Sequence, residues 1–117
     1  MLMDTRVKII DASAARRLAQ SGATVVSGCF DPLTAAHARR LAELKREGVP
    51  LVVLIAESPD EILPARARAE LVAALAVVDG VVEFADGIPA AVRLEQEDQA
   101  RRAALVEHVH ARQDAGS

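Results

Sequence analysis

The chain has 117 residues, 51% of them apolar, yet only two phenylalanines and no tryptophan or tyrosine. Its 17 acidic residues outnumber its 14 basic ones, for a formal charge of −3. That balance excludes a basic, aromatic platform for nucleic acid, and the apolar fraction excludes intrinsic disorder.

The length predicts a single domain over residues 1–117, with an α/β core over 1–96 and a C-terminal helix over 97–113. A lone cysteine, Cys29, can neither form an internal disulfide nor anchor a zinc site. No apolar run reaches the ~18–20 residues of a membrane span, and the opening MLMDTRVKII lacks a signal-peptide pattern. The expectation is a cytoplasmic protein with no membrane contact.

In chain order, Val7–Ile10 is a short β-branched run expected at a sheet edge. Asp11 or Ser13 can cap a helix running to about Gln20, and Gly22 ends it. Thr24–Ser27 reads as a strand covered on both faces. A loop, Gly28-Cys29-Phe30-Asp31-Pro32-Leu33, leads into a helix from about Thr34 to Glu47, which places Ala38, Leu41, Ala42 and Lys45 near one stripe. Gly48 and Pro50 stop that helix. Leu51–Ala56 is the clearest buried strand, and Pro64 suits the first turn of a helix to about Ala76. Asp79-Gly80 turns into a strand over Val81–Phe84. Ala91–Glu95 reads as a short strand or a helical turn. Glu97–Arg112 has a helical pattern, with Leu105, Val106 and Val109 on one narrow stripe. Strand alternating with helix predicts a parallel sheet with right-handed crossovers.

A buried strand entering a glycine-containing loop and then a helix is a phosphate-site geometry, because the helix start offers unpaired N–H groups and partial positive charge. The segment Val25-Val26-Ser27-Gly28-Cys29-Phe30-Asp31-Pro32-Leu33-Thr34-Ala35-Ala36-His37 resembles the first signature of the cytidylyltransferase-like nucleotidyltransferases, G-[TC]-F-D-x-x-H-x-G-H between a strand and a helix. The Gly-Cys-Phe-Asp form looks most like the nucleotidyltransferase domains that make ADP-heptose. Lys45 sits where that family often carries a lysine, and Leu63-Pro64, Arg68, Leu71 and Val78-Asp79-x-Val81 match its later pattern. The resemblance covers roughly residues 7–84.

It implies a Rossmann-like three-layer α/β/α sandwich with a mostly parallel sheet. It also implies an enzyme joining a nucleoside monophosphate, from CTP or ATP, to a phosphorylated small molecule, with Mg²⁺ bridging phosphate oxygens. On this resemblance Gly28, Cys29, Phe30, Asp31, Arg68 and Asp79 would bind nucleotide or phosphate, and His37, Thr34 and Lys45 would take the catalytic positions. No resident metal site is expected, and a homodimer is the expected assembly from family habit.

The motif is degenerate here, since Thr34 replaces its first histidine and Ala36 its glycine. A neutral hydroxyl cannot carry the charge of a histidine, and losing one such donor costs about 3–4 kcal/mol of transition-state stabilisation. The alternative is therefore a catalytically inactive relative that senses nucleotide or binds a protein.

Plainer roles stand beside these. Thr34 is a natural N-cap. His37 can bond locally at the helix start, Asp31 can cap the same helix, and Lys45 can be a solvated last-turn cation. Cys29 can pack in the loop or, if the loop is electropositive, have a lowered pKa. Arg66 is expected in solvent. His108 and His110, two apart, diverge on a helix and do not make a metal pair. The acidic run Glu95–Asp98 is expected to favour the start of the last helix.

Overall fold

The computed structural model describes residues 4–84 and 87–100. Within them, four parallel strands form one sheet of order β3-β2-β1-β4 with helices on both faces, the Rossmann-like α/β arrangement expected from the sequence.

Helix α1 (Ala12–Gln20) starts at Asp11, whose carboxylate accepts the Ala14 amide at 2.8 Å. It ends at Gly22, where φ is +100° and the amides of Gly22 and Ala23 bond back to the carbonyls of Ala19 and Leu18. Glycine adopts that backbone without steric cost, so the stop is written locally. Strand β1 (Thr24–Gly28) follows, then α2 (Ala35–Leu44), β2 (Leu51–Ile55) and α3 (Ala65–Ala73). The edges are β3 (Gly80–Val82) and β4 (Val92–Arg93). A last helix, α4, begins at residue 94 and is described to residue 100.

Strand parity separates two cores. Val26, Val53, Ile55 and Val81 point toward α2 and α3 and pack with Leu41, Ala69, Val72, Ala73 and Leu94. Val25, Val52, Leu54 and Val82 point the other way, onto Ala15 of α1 and Ile88. The buried alanines of α3 let that helix lie close on the sheet, which suits a core built almost without aromatics.

Several elements depart from expectation. Val7–Ile10 is not a strand. Thr5–Lys8 forms a 3-10 helix capped by Asp4, and only Ile9 bridges Val81 at the β3 edge. Helix α2 stops at Leu44, three residues early, because Lys45 turns to extended backbone and Arg46 closes a turn onto Val49. Ala42 faces outward, not into the stripe. Strand β3 ends at Val82, leaving Phe84 exposed. The segment read as strand or turn is β4, paired to β1 at Val26↔Val92 and Ser27↔Arg93. Helix α4 starts earlier than Glu97. The expected stripe of Leu105, Val106 and Val109, and the pair His108 and His110, lie outside the described residues. Among the described residues no helix is long and apolar enough to cross a membrane.

The chain runs from β1 to β2 to β3 in one direction, then returns past β1 to form β4. Strand order therefore reverses between β1 and β4, and ligands of open parallel sheets bind in the crevice beyond the carboxyl ends at such a point.

Candidate functional site

The loop leaving β1 begins at Gly28, and the reason for glycine is visible. A Cβ there would lie 2.6 Å from Cε2 and Cζ of Phe30. The Phe30 ring folds back over Gly28, is 1% exposed, and meets the His37 ring edge-on with centroids 5.4 Å apart. To reach that position Phe30 takes a positive φ of 51°, a conformation that only tertiary packing holds in a bulky residue.

The next residue, Asp31, aims its carboxylate away from α2. It accepts the amides of Ile62 and Leu63, both at 2.8 Å, and so secures the loop ahead of α3. Desolvation pushes the Asp31 pKa upward, but those amides and the Ser58 side chain outweigh it and hold it below the ordinary aspartate value. A lowered folded pKa means that Asp31 contributes its full stability above the unfolded value, about 3.9, and loses it as pH falls through the folded value. Asp31→Asn is accordingly expected to be less stable than wild type at pH 7 and to show a flatter loss of stability on acidification below about pH 4. Urea midpoints across that range measure both, and parallel curves would refute the assignment.

Arg68 is buried at 3% exposure, and its guanidinium is spent on the backbone. Nη1 donates to the carbonyls of Cys29 (2.9 Å) and Ala56 (2.8 Å), Nε to that of Leu63 (3.0 Å), and Nη2 to Glu61 Oε1 (3.4 Å). It ties together the ends of β1 and β2 and the loop before α3. The fork of donors in a guanidinium is suited to this bridging. Arg68 thus reaches the site, as expected, but as a brace with most of its donors committed.

Thr34 and His37 form a reciprocal cap at the start of α2. Thr34 Oγ1 accepts the His37 amide at 3.3 Å, and His37 Nδ1 accepts the Thr34 amide at 3.1 Å. His37 takes the place that a glutamate or glutamine has in most such boxes. With Nδ1 an acceptor, the neutral ring carries its proton on Nε2, which donates to Asp98 Oδ2 at 2.8 Å. Beside it, Arg40 pairs with Glu97 at 3.0 Å. The acidic run of α4 therefore latches onto α2 instead of only complementing its own helix dipole. Glu95 accepts the Ser27 hydroxyl, 2.8 Å to Oε1 and 2.9 Å to Oε2.

Two neighbouring cavities open along the carboxyl edge of the sheet. The smaller, about 500 Å³, is lined by Cys29, Phe30, Asp31, Thr34, Ala36, His37 and Asp98. The larger, about 630 Å³, is lined by Ser27, Leu54, Arg68, Phe84, Ile88 and Arg93 among others. Glu57, Ser58 and Glu95 line both and form the shared wall.

The surroundings are acidic, which corrects the electropositive reading of the loop. The Cys29 thiol is pushed up by burial and then by the charge of Glu95, with Arg68 opposing. Its Sγ donates to the Glu57 carbonyl at 3.3 Å. Cys29 packs in the loop and is held as a thiol.

Lys45 and Asp79 are not at this site. Lys45 Nζ donates to Asp79 Oδ2 (2.8 Å) and to the Val49 carbonyl (2.7 Å), while Asp79 Oδ2 also accepts the Leu51 amide at 2.8 Å. Leu51 begins β2, so this cluster sits at the amino edge of the sheet, a strand length of about 13 Å from Ile55. There it locks the end of α2 to the turn into β3. Desolvation raises the Asp79 pKa, but Lys45 and the Leu51 amide hold it below its ordinary value.

Gly28, Cys29, Phe30, Asp31, Thr34, His37 and Arg68 thus converge, and Lys45 and Asp79 do not. Sequence reasoning missed the site roles of Ser27, Glu57, Phe84, Glu95 and Asp98. Nothing in their spacing signals them, since Asp98 meets His37 across 61 positions.

Compared with known proteins, residues 25–110 match the family model described as cytidylyltransferase-like. The match spans more than half of the chain and continues through α4, past the end of the resemblance read from the motifs. No curated protein matches the chain.

Proposed function

This chain belongs to the cytidylyltransferase-like family, and from that premise we propose that its cleft binds a nucleoside triphosphate, CTP or ATP, together with a phosphorylated small molecule. In the reaction, an oxygen of the acceptor phosphate bonds to the α-phosphorus of the nucleotide. The bond from that phosphorus to the bridging oxygen breaks, and pyrophosphate leaves. The observation that carries this reading is the place of the Gly28–His37 loop. It lies at the carboxyl end of β1, beside the reversal of strand order, and leads into the start of α2. Binding energy and positioning supply most of the catalysis available to such a site.

Mg²⁺ fits here as a companion of the nucleotide. Among the described residues no group of three or more His, Cys, Asp or Glu is placed to hold a metal. Mg²⁺ ordinarily keeps several waters and takes one or two carboxylates plus substrate phosphates. Glu57 and Glu95 on the shared wall are the carboxylates that a bound complex would meet, and the cation would offset their charge.

One observation favours a second reading, a nucleotide-sensing or protein-interaction module without transfer. Thr34 is consumed as a cap and both ring nitrogens of His37 are engaged. Thermal shift with CTP and ATP plus Mg²⁺, run beside a pyrophosphate-release assay with sugar and polyol phosphates, separates the two. Stabilisation with release supports transfer, and stabilisation without it supports the module. No stabilisation at millimolar nucleotide rules out both.

Because the Asp98 carboxylate holds the only ring N–H of neutral His37, it stands where a phosphate oxygen would bond. Asp98→Ala is expected to bind nucleotide roughly fivefold more tightly, equivalent to about 1 kcal/mol. Adding His37→Ala is expected to abolish the gain. An unchanged dissociation constant in calorimetry for Asp98→Ala would remove this assignment.

A further inference from the structure

Three short contacts join Thr34 and His37 at the start of α2. The Thr34 amide donates to His37 Nδ1 at 3.1 Å, the His37 amide donates to Thr34 Oγ1 at 3.3 Å, and Oγ1 itself lies 3.0 Å from Nδ1. With the ring neutral and its proton on Nε2, Nδ1 offers a single lone pair. Both donors of Thr34, the N–H and the O–H, are within reach of that lone pair. They belong to an exposed residue that lines the smaller cavity.

We propose that His37 is a proton switch for the phosphate end of the cleft. Protonation of its ring releases the donors of Thr34 to a phosphate oxygen, so that nucleotide binds with uptake of a proton. The proposal rests on the nucleotide reading above. A proton taken from solvent onto Nδ1 consumes the lone pair. Nδ1–H then donates to Oγ1, which has a second lone pair beside the one that accepts the His37 amide. The Thr34 N–H loses its acceptor, and the Thr34 O–H turns away from the ring. Nε2 keeps its bond to Asp98 in both states, so the ring stays in place. Positive charge at a helix start is unfavourable, and a bound anion there offsets it. Proton and phosphate therefore promote each other's binding, as linked equilibria require.

Charged groups surround the ring from four elements. Asp98 of α4 is bonded to it, and Arg40, one turn along α2, is paired with Glu97 of α4. From the β1 loop, Asp31 spends its carboxylate on the Ile62 and Leu63 amides. Glu57 from beyond β2 lines the same cavity, as does Glu95, which holds the Ser27 hydroxyl. His37→Gln isolates the ring from all of them. Glutamine serves the same cap, so the variant is expected to fold, and it has nothing to titrate.

The unliganded full chain is first followed by NMR from about pH 8 to 5, the range in which histidines change charge. The Thr34 amide resonance is expected to move with the His37 ring titration and to lose protection from solvent exchange. The His37 amide is expected to keep its protection, and in His37→Gln neither amide follows such a titration. Calorimetry with Mg·CTP and Mg·ATP, in buffers of different ionisation enthalpy, then compares the two proteins. Between about pH 8 and 6, nucleotide affinity is expected to rise roughly tenfold more in wild type than in His37→Gln, with greater proton uptake. Titration of the nucleotide itself is common to both and cancels.

A Thr34 amide that stays still while the ring titrates overturns the switch, a result that needs only the wild type. Equal pH dependence of binding in wild type and His37→Gln also overturns it, and the nucleotide reading then stands. If no nucleotide binds at any pH, the nucleotide reading falls and takes this proposal with it.

Discussion

Replacing Arg68 with leucine is expected to destabilise the protein by about 3–5 kcal/mol, the cost of leaving three backbone carbonyls without their charged donor. Total stability for a domain of this size is about 5–15 kcal/mol, so a large fraction would be lost. The reason is the set of acceptors left behind. The carbonyls of Cys29, Ala56 and Leu63 all lose a charged donor at once, and a buried acceptor without a partner costs about 1–3 kcal/mol. Arg68→Lys is expected to recover only part of the loss, because one ammonium cannot span carbonyls on three segments. Urea unfolding monitored by circular dichroism gives both values. A loss below about 1 kcal/mol for Arg68→Leu would mean that the guanidinium is not the brace described here.

The consequence for function is indirect. With Arg68 gone, the ends of β1 and β2 are no longer tied, and ligand affinity is expected to fall along with stability. Arg68 then behaves as a positioning residue. Its Nε and both contacts of Nη1 already lie on the backbone, so direct phosphate binding is not its main task.

Gly28→Ala is the second large effect. The new methyl would overlap the far edge of the Phe30 ring at 2.6 Å. An exposed ring could swing aside at little cost, but this one is buried against the core and the His37 ring. Tilting it in place costs about 1–3 kcal/mol by overpacking, and expelling it costs about 3–5 kcal/mol, as for deletion of a buried aromatic. Because the clash is with ring carbons alone, shortening the ring removes it. Gly28→Ala/Phe30→Leu is expected to be no less stable than Phe30→Leu alone, so the two substitutions are strongly non-additive. Simple additivity in a double-mutant cycle would show that glycine is needed there for some other reason. Nucleotide binding tests the same contact, since a displaced Phe30 moves the wall of the smaller cavity.

These two residues also show how unevenly the site could be read beforehand. The Gly-Cys-Phe-Asp loop stood out because a strand, a glycine and a helix start are local signals. The identity of the glycine's partner was not legible. Phe30 packs back on Gly28 only because its φ turns positive, and that turn is held by tertiary contacts. Arg68 stood out by resemblance, yet its direction depends on where the carbonyls of Cys29 and Ala56 come to lie. Lys45 and Asp79 looked like site residues by the same resemblance, and the fold carries them to the other edge of the sheet.

By itself the sequence determined the alternation of strands and helices, the caps at Asp11 and Thr34, the stop at Gly22 and the loop most suited to phosphate. Each of these follows from interactions within a few residues, where side-chain period, cap chemistry and backbone freedom act directly. Tertiary structure alone decided that residues 92–93 pair with β1, that Glu97 and Asp98 engage Arg40 and His37, and that Phe84 overlooks a cavity. Those outcomes join segments distant in the chain. Their energies depend on which edges and faces meet after folding, and no local period records that meeting.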